Sequence, residues 1–395
     1  MMKTATGLDV LVSDPNLQKE FKGNVALLCN NASIDGEYEH AALKFKSLFG
    51  PRFVKLFGPQ HGFSTDAQDN MIETAHCEHP FFKIPVYSLY SETRVPTDEM
   101  LQGIDHFFVD LQDVGCRMYT YIYSLTLLLE KCMDKDIEVI VLDRPNPLNG
   151  ITLEGNVLEP GFASFIGRHP IPVRHGMTIG EVGLMHQRYW AAKQIPYRVI
   201  KMRNWERGMF FEETRLPWLL PSPNLARHES ALTFPGTVLF EGTRFSEGRG
   251  TTQPLEIVGH PKIEPFGLYE GHLKQALKTT KLKGVAIRPI VFMPTFQKHA
   301  DTACGGFQIH VTDHTVFQPW RVGQWLMREL YHLMGEDFQW LDPPYEYDYT
   351  NVPLDIINGS DKLRHWVAQR ESMEILETFE DYKDYRPRFE SIQIY

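Results

Sequence analysis

Short apolar runs alternate with amphipathic stretches through roughly the first half of the chain. An apolar run of about five residues bounded by polar residues predicts a buried strand, whereas apolar residues three or four apart predict a helix. We predict strands at 24–28, 53–57, 85–90, 106–111, 138–142 and 197–202. The predicted helices between them lie at 41–48, from 96, at 119–133 and at 179–190. This alternation indicates an α/β fold with a doubly wound, Rossmann-like, mostly parallel sheet.

The pattern changes in the second half of the chain. Residues 218–261 are rich in Gly, Pro, Thr and Ser, and a loop of this length inside a compact domain is usually functional. Beyond it we predict two strands and two helices, at 285–292, 306–311, 320–334 and 361–368, the last being the final helix. We therefore divide the chain into a Rossmann-like domain of residues 1–260, which carries most of the site, and a smaller C-terminal α+β domain of residues 261–395.

Polar clusters follow several of the predicted strands. The strand at 53–57 runs directly into the sequence Gly-Pro-Gln-His-Gly, which contains Gln60 and His61. Other strands end near Asn30, Asp110 and Asp143. In an open α/β sheet, ligands bind outside the carboxyl ends of the strands. We therefore predict one shared site for a polar ligand.

The densest cluster is residues 110–121, which contains Asp113, Arg117, Tyr119 and Tyr121. A guanidinium just before a helix can bind a carboxylate with two hydrogen bonds, and tyrosine rings suit a sugar. The alternative is that Asp113 and Arg117 form a structural ion pair while the tyrosines fill the core.

Further candidates lie in three loops. In residues 143–147 two prolines fix the backbone, so Asp143, Arg144 and Asn146 are held rigidly, either for binding or as a capped turn. Thr178 and Glu181 match a capping box, so a structural role explains them. Arg174 and His175, just before this box, are left as functional candidates. The Gly-rich run 241–252, which contains Glu241 and Arg249, could cradle a phosphate, but it lacks the lysine spacing of a phosphate-binding loop and does not follow a clear strand.

Composition excludes several classes of function. A formal net charge of −10 argues against a nucleic-acid partner, and no apolar run is long enough to span a membrane. No signal peptide is visible, so we expect a cytoplasmic protein, or a periplasmic or secreted one if a signal was removed. The five cysteines have no metal-ligand spacing, and no GxGxxG opens the first βα unit. We expect no metal and no cofactor.

Taken together and in order, these motifs resemble the NamZ-type exo-β-N-acetylmuramidases, glycoside hydrolase family 171, long known only as a domain of unknown function. The resemblance covers nearly the whole chain. It implies a Rossmann-like domain with a smaller C-terminal domain. It also implies a hydrolase that removes N-acetylmuramic acid or a related amino sugar from non-reducing ends of peptidoglycan fragments, as in cell-wall recycling.

The resemblance also suggests roles for the candidate residues. The arginines would bind the lactyl carboxylate of the sugar, and the asparagines and Asp143 its acetamido and hydroxyl groups. Tyr119 or Tyr121 would stack on its ring. The full set expected to bind substrate is Asn30, Asp110, Arg117, Tyr119, Tyr121, Asp143, Arg144, Asn146, Arg174, His175, Glu241 and Arg249.

The chain departs from the family at Gln60, where the family commonly has the glutamate favoured as catalytic acid. An amide cannot donate a proton at neutral pH, so another group must act, or activity is lost. The alternatives are His61, Asp113, Glu154, Glu73 and Glu181. We expect Gln60, His61, Asp113 and Glu154 to form the catalytic group, with Glu154 preferred as second carboxyl.

Two other functions remain open. A catalytically silent carbohydrate-binding protein could keep the pocket without the acid. A metal-dependent hydrolase could instead use His61 and Asp113, with His175 and Asp110 as further ligands. The expected partner is an amino-sugar or peptidoglycan-fragment ligand, and the oligomeric state is not predicted.

Overall fold

The computed structural model describes residues 2–69 and 72–395. Its strands are β1 Val25–Cys29, β2 Phe53–Gly58, β3 Cys77–Glu78, β4 Pro85–Ser88, β5 His106–Asp110, β6 Glu138–Leu142, β7 Glu154–Val157, β8 Pro172–Arg174, β9 Tyr197–Ile200, β10 Ile257–His260, β11 Val285–Phe292 and β12 Cys304–Val311. The α-helices are α1 Gly7–Ser13, α2 Pro15–Glu20, α3 Ala41–Phe49, α4 Asp98–Leu101, α5 Tyr121–Lys131, α6 Ile179–Tyr189, α7 His228–Thr237, α8 Pro265–Leu268, α9 Lys274–Thr279, α10 Pro319–Met334, α11 Pro353–Asn358, α12 Lys362–Gln369, α13 Met373–Glu377 and α14 Tyr385–Ser391.

Seven strands form the main sheet in the order β3-β4-β2-β1-β5-β6-β9. Every pair is parallel except β3 with β4, which is antiparallel. The chain builds outward from β1 on one side and from β5 on the other, so the strand order reverses between β1 and β5. The predicted doubly wound, mostly parallel sheet is confirmed. The apolar runs form its central strands because these are buried on both faces.

A second sheet of three antiparallel strands, in the order β10-β12-β11, belongs to the C-terminal part of the chain. One hydrophobic core runs from Leu28 and Val109 of the main sheet to Phe307 and Trp320 of this part, so the two parts pack as a continuous body. Since β10 begins at Ile257, the antiparallel sheet starts a few residues before the predicted boundary at residue 260. That boundary stays a prediction.

The segment predicted to be a long loop contains a helix, α7, whose residues are almost all buried. The sequence does not predict this helix because it contains Pro235 and Gly236, and both residue types usually break helices. A side chain at Gly236 would collide with the backbone of Pro319 and Gly323, so glycine allows α7 to pack directly against α10. The prediction of a structureless segment here is wrong.

The prediction that the helix at 361–368 is the last one is also wrong. It corresponds to α12, and α13 and α14 follow it. Helix α14 returns to the main domain, where Tyr385 and Phe389 pack in one cluster with Ile122 and Met185. Within the described part of the chain, no helix is long and apolar enough to cross a membrane.

Candidate active site

A pocket that opens to solvent lies beyond the carboxyl end of β2. Its walls come from the turn after β2, the residues around the start of α5, the stretch between β9 and β10, and the loop before α11. The polar residues that line it are Gln60, His61, Tyr119, Thr120, Tyr121, Ser222, Asn224, Glu241, Arg249, Tyr345 and Glu346. Six of the residues predicted from the sequence therefore meet in one place: Gln60, His61, Tyr119, Tyr121, Glu241 and Arg249.

Gln60 is buried in the pocket wall, in a tight turn after β2. The turn needs Gly58, where a Cβ atom would lie 2.4 Å from the backbone nitrogen of Phe63. The Thr120 hydroxyl donates a hydrogen bond of 2.6 Å to the side-chain oxygen of Gln60. This contact fixes the amide against the beginning of α5.

His61, the next residue, has a left-handed backbone with φ 71° and a buried ring. Its Nδ1 lies 2.7 Å from the carbonyl oxygen of Ala67, so Nδ1 carries the proton when the ring is neutral. Burial, and then the positive charge of Arg249, lowers the pKa of His61 to about 4. At neutral pH the ring is therefore a hydrogen-bonding group or a base, and it is poorly suited to donate a proton.

The two tyrosines stand next to each other, with ring centroids 4.7 Å apart. The Tyr121 hydroxyl donates to the carbonyl oxygen of Pro221 and accepts a 2.8 Å hydrogen bond from the Asn30 amide. Asn30 therefore lies behind the pocket wall and holds Tyr121 in position.

Arg249 joins two carboxylates in the Gly-rich run. Its Nη2 donates to Glu241, and its Nε lies 3.2 Å from Glu247. Glu241 also accepts a 2.7 Å hydrogen bond from the Tyr345 hydroxyl, and Glu247 is paired with Lys298 at 3.0 Å. The charge of Arg249 is thus balanced by its neighbours, and the network ties the Gly-rich run to the loop that carries Tyr345.

Glu346 is a pocket residue that the sequence interpretation missed. Its side chain is buried, and its Oε2 has no hydrogen-bond partner within the described ranges 2–69 and 72–395. Burial, and then the negative charge of Glu241, raises the pKa of Glu346 to about 7, although Arg94 partly opposes this. A signal was available, because the residue follows two prolines and sits between two tyrosines in an otherwise polar stretch.

Two predicted arginines form structural contacts outside the pocket lining. Arg144 makes a two-pronged ion pair with Asp110, at 2.5 and 2.9 Å, with both side chains buried. Arg117 is fully buried and donates to the carbonyl oxygens of Asn156, Ile171 and Asn358. Asn358 belongs to α11, so Arg117 joins the two parts of the chain.

Asp143 and Asn146 hold local structure together at the end of β6. Asp143 accepts hydrogen bonds from the Thr178 hydroxyl, the Gly180 amide and the Tyr395 hydroxyl. Asn146 donates to the carbonyl oxygen of Met177 and accepts from its own loop. The capping box at the start of α6 is confirmed.

Glu154, the expected second carboxyl, is buried on β7 and does not line the pocket. Its Oε2 lies 3.7 Å from Arg174, and its Oε1 accepts a hydrogen bond from the backbone amide of Arg321. Burial raises the pKa of Glu154 to about 7. Arg174 also donates to the carbonyl oxygen of Leu148, so the pair links β7, β8 and α10.

Asp113 and His175 lie close to each other and do not line the pocket. His175 Nε2 is 3.5 Å from Asp113 Oδ2, which also accepts a hydrogen bond from the Gly115 amide. In the described part of the chain, the side chains close enough together to hold a metal ion are those of Glu130, His169 and His186, and they include neither Asp113 nor His175.

Comparison with known proteins agrees with this architecture. The protein-family model for the N-terminal domain of the exo-β-N-acetylmuramidase NamZ matches residues 25–229. The family model for its C-terminal domain matches residues 232–395. The chain is 40% identical to the peptidoglycan β-N-acetylmuramidase NamZ of Bacillus subtilis over 348 residues, which cover 86% of this chain and 80% of that protein.

Two solved structures from Bacteroides fragilis are also similar, both of DUF1343 family proteins. One has a TM-score of 0.87 and 28% identity with full coverage of both chains. The other has a TM-score of 0.76 and 25% identity, and covers all of this chain and 99% of that one. The α/β fold, the carboxyl-lined pocket and these matches together define the class of protein, which is a glycosidase. The chain belongs to the NamZ family of exo-β-N-acetylmuramidases.

Proposed function

We propose that this protein is an exo-acting glycosidase that removes N-acetylmuramic acid from the non-reducing ends of peptidoglycan fragments. Membership of the NamZ family supports the proposal, as does the name of the Bacillus subtilis relative. The structural observation that carries it is Glu346, a buried carboxyl group of the pocket lining with an oxygen that has no hydrogen-bond partner among the described residues. Burial and the ion-paired carboxylate Glu241 raise its pKa to about 7.

Glycoside hydrolysis needs an acid that protonates the leaving oxygen. Gln60 has no acidic proton to give, and His61, whose pKa burial lowers to about 4, is neutral at pH 7. Glu346 is a carboxyl of the pocket lining with a raised pKa and an unpartnered oxygen among the described residues. In our proposal, Glu346 therefore donates the proton in place of the glutamate that the family commonly has at position 60.

The same cleavage step also requires a group that attacks the sugar carbon or activates a water molecule to attack it. Either a carboxylate does this, or the acetamido group of the substrate attacks its own ring carbon. Glu241 is the carboxylate in the lining, oriented by Arg249 and Tyr345. In our proposal, Gln60 and neutral His61 hold the acetamido group or a water molecule.

Substrate binding uses the two sides of the pocket. Tyr119 and Tyr121 offer ring faces to the sugar, and Arg249 remains a candidate for its hydroxyl and lactyl groups. Arg94 lies outside the residues that line the pocket and pairs with Glu73 at 3.4 Å, but it is close enough to lower the pKa of Glu346. In our proposal it is a further cation for the lactyl carboxylate. It stacks on Tyr90 at 3.9 Å and donates to the Tyr347 hydroxyl at 2.5 Å, which holds its guanidinium in place.

Release of the chromophore from an aryl N-acetyl-β-muraminide tests the function. We expect turnover, with the free sugar as the other product. Sugar binding without turnover would instead show a carbohydrate-binding protein that has lost catalysis. Activity that disappears after removal of bound metal, in a chain that keeps its melting temperature, would favour a metal-dependent hydrolase.

A further inference from the structure

On the far end of α5 from the pocket, three potential metal ligands converge. Glu130 lies in the last turn of α5, His186 on α6, and His169 in the segment between β7 and β8. One ligand atom of each residue lies within 4.8 Å of the corresponding atoms of the other two. Small side-chain rotations would bring these atoms to about 3.3 Å, the separation expected around a tetrahedral zinc ion with bonds of about 2.0 Å.

The two imidazoles have buried nitrogens with no protein partner. Both ring nitrogens of His186 and the Nε2 of His169 lack a hydrogen bond across residues 2–69 and 72–395. Buried polar groups are nearly always satisfied, so such a cluster indicates a ligand or a water molecule.

Neighbouring side chains already hold the ligands in position. Trp190 stacks on the His169 ring at 4.0 Å with an interplanar angle of 9°. Arg168 donates to both oxygens of Glu130, at 3.2 and 3.0 Å, and to the Thr126 hydroxyl. Each carboxylate oxygen keeps a second lone pair, and such hydrogen-bonded partners commonly orient metal ligands.

We propose that Glu130, His169 and His186 form a binding site for a divalent transition-metal ion of the zinc class, with water completing the coordination. Two imidazoles and one carboxylate are a usual zinc donor set. The role of this ion is structural, because Glu130 lies nine residues beyond Tyr121 on the same helix, about 14 Å from the pocket.

Such an ion would connect α5, α6 and the segment between β7 and β8. That segment also carries Ile166, which lines the pocket. The metal would therefore brace one wall of the pocket from behind without contacting substrate. The inference does not depend on the proposed glycosidase activity.

The test uses the full chain, stripped of metal with EDTA and titrated with ZnCl₂ by calorimetry, with the metal content measured by mass spectrometry. We expect one zinc per chain, and a melting temperature that zinc raises by several degrees. His169→Ala and Glu130→Gln, both at partly exposed positions, should weaken zinc binding at least tenfold and abolish the thermal shift. His365→Ala, which removes an exposed imidazole from α12, should change neither.

Absence of stoichiometric zinc binding to the native chain would overturn the proposal and leave a bridging water as the partner of the imidazoles. Equal zinc binding by the native chain and by both ligand variants would overturn it too, because the ion would then bind elsewhere. His186→Gln adds a third ligand variant whose folding can be checked by circular dichroism.

Discussion

Thr120 donates a 2.6 Å hydrogen bond to the side-chain oxygen of Gln60, and this contact makes Gln60 a structural part of the pocket wall. The amide holds the start of α5 next to the turn after β2. The family resemblance implies a catalytic glutamate at this position, and an amide cannot donate a proton at neutral pH, so we assign the proton donor to another residue.

Removing the Gln60 amide should therefore affect binding more than proton transfer. In Gln60→Ala the buried Thr120 hydroxyl loses its acceptor, which we expect to lower the free energy of unfolding by about 1–3 kcal/mol. We predict a higher KM, with the basic limb of the pH–rate profile unchanged. Thr120→Ser keeps the hydroxyl and is the matched control. Loss of the basic limb in Gln60→Ala would contradict this role.

The pH dependence of kcat/KM should report Glu346. A general acid must be protonated, and the pKa of Glu346 is about 7, so kcat/KM should be level below that pH and fall as the pH rises through it. On the acidic side, protonation of His61 near pH 4 should lower the rate if its neutral form is needed. Steady-state kinetics between pH 3.5 and 9 measures both limbs. A rate that rises through pH 7 would exclude Glu346 as the acid.

Glu154 is expected to matter for stability rather than for rate. Glu154→Gln leaves the buried Arg174 without its carboxylate, and we predict a loss of about 1–3 kcal/mol in the free energy of unfolding. The value of kcat/KM at a temperature where the variant is folded should stay within about twofold of the native value. Denaturant unfolding and the aryl muraminide assay measure the two effects, with the exposed Glu336→Gln as control. A hundredfold drop in kcat without unfolding would return Glu154 to the mechanism.

Arg94 should determine preference for the lactyl group. Arg94→Gln removes the positive charge beside Glu346, so the KM for an aryl N-acetylmuraminide should rise about tenfold or more. The KM for the matching N-acetylglucosaminide, which has no lactyl carboxylate, should change little. Arg203→Gln removes an exposed charge elsewhere and is the control. An equal effect on both substrates would show that Arg94 does not contact the lactyl group.

Much of the main sheet could be predicted from the sequence. The buried runs at β1, β2, β5 and β6 are short, apolar and bounded by polar residues, which is the pattern of a parallel strand covered on both faces. Helix α7 could not be predicted in the same way. Its Pro235 and Gly236 are explained only by the close packing against α10, a contact that does not appear in local sequence.

Only part of the pocket lining could be predicted from the sequence, again because contacts between distant segments decide which residues meet. Strand ends pointed to Gln60 and His61, which line the pocket, and equally to Asp110, Asp143 and Arg144, which do not line it. A buried ion pair and a binding pair have the same residue types, and only the fold shows which of them faces the pocket. Glu346 comes from a loop more than 280 residues after Gln60, so no sequence spacing connects the two.

The metal-ligand cluster shows the same limit. His169 and His186 lie on different segments, and Glu130 reaches them because α5 and α6 pack together. No motif with ligand spacing marks these three residues in the sequence.

The most direct test of the central claim, that Glu346 is the proton donor, compares leaving groups in the Glu346→Gln variant. This change keeps the size of the side chain and removes the proton. For a substrate with a poor leaving group, such as a muramoyl disaccharide fragment, we predict a fall in kcat of about 100- to 10,000-fold. For a dinitrophenyl muraminide, whose leaving group needs no proton, the fall should be less than about tenfold. An equal loss on both substrates, or no loss on either, would contradict the account.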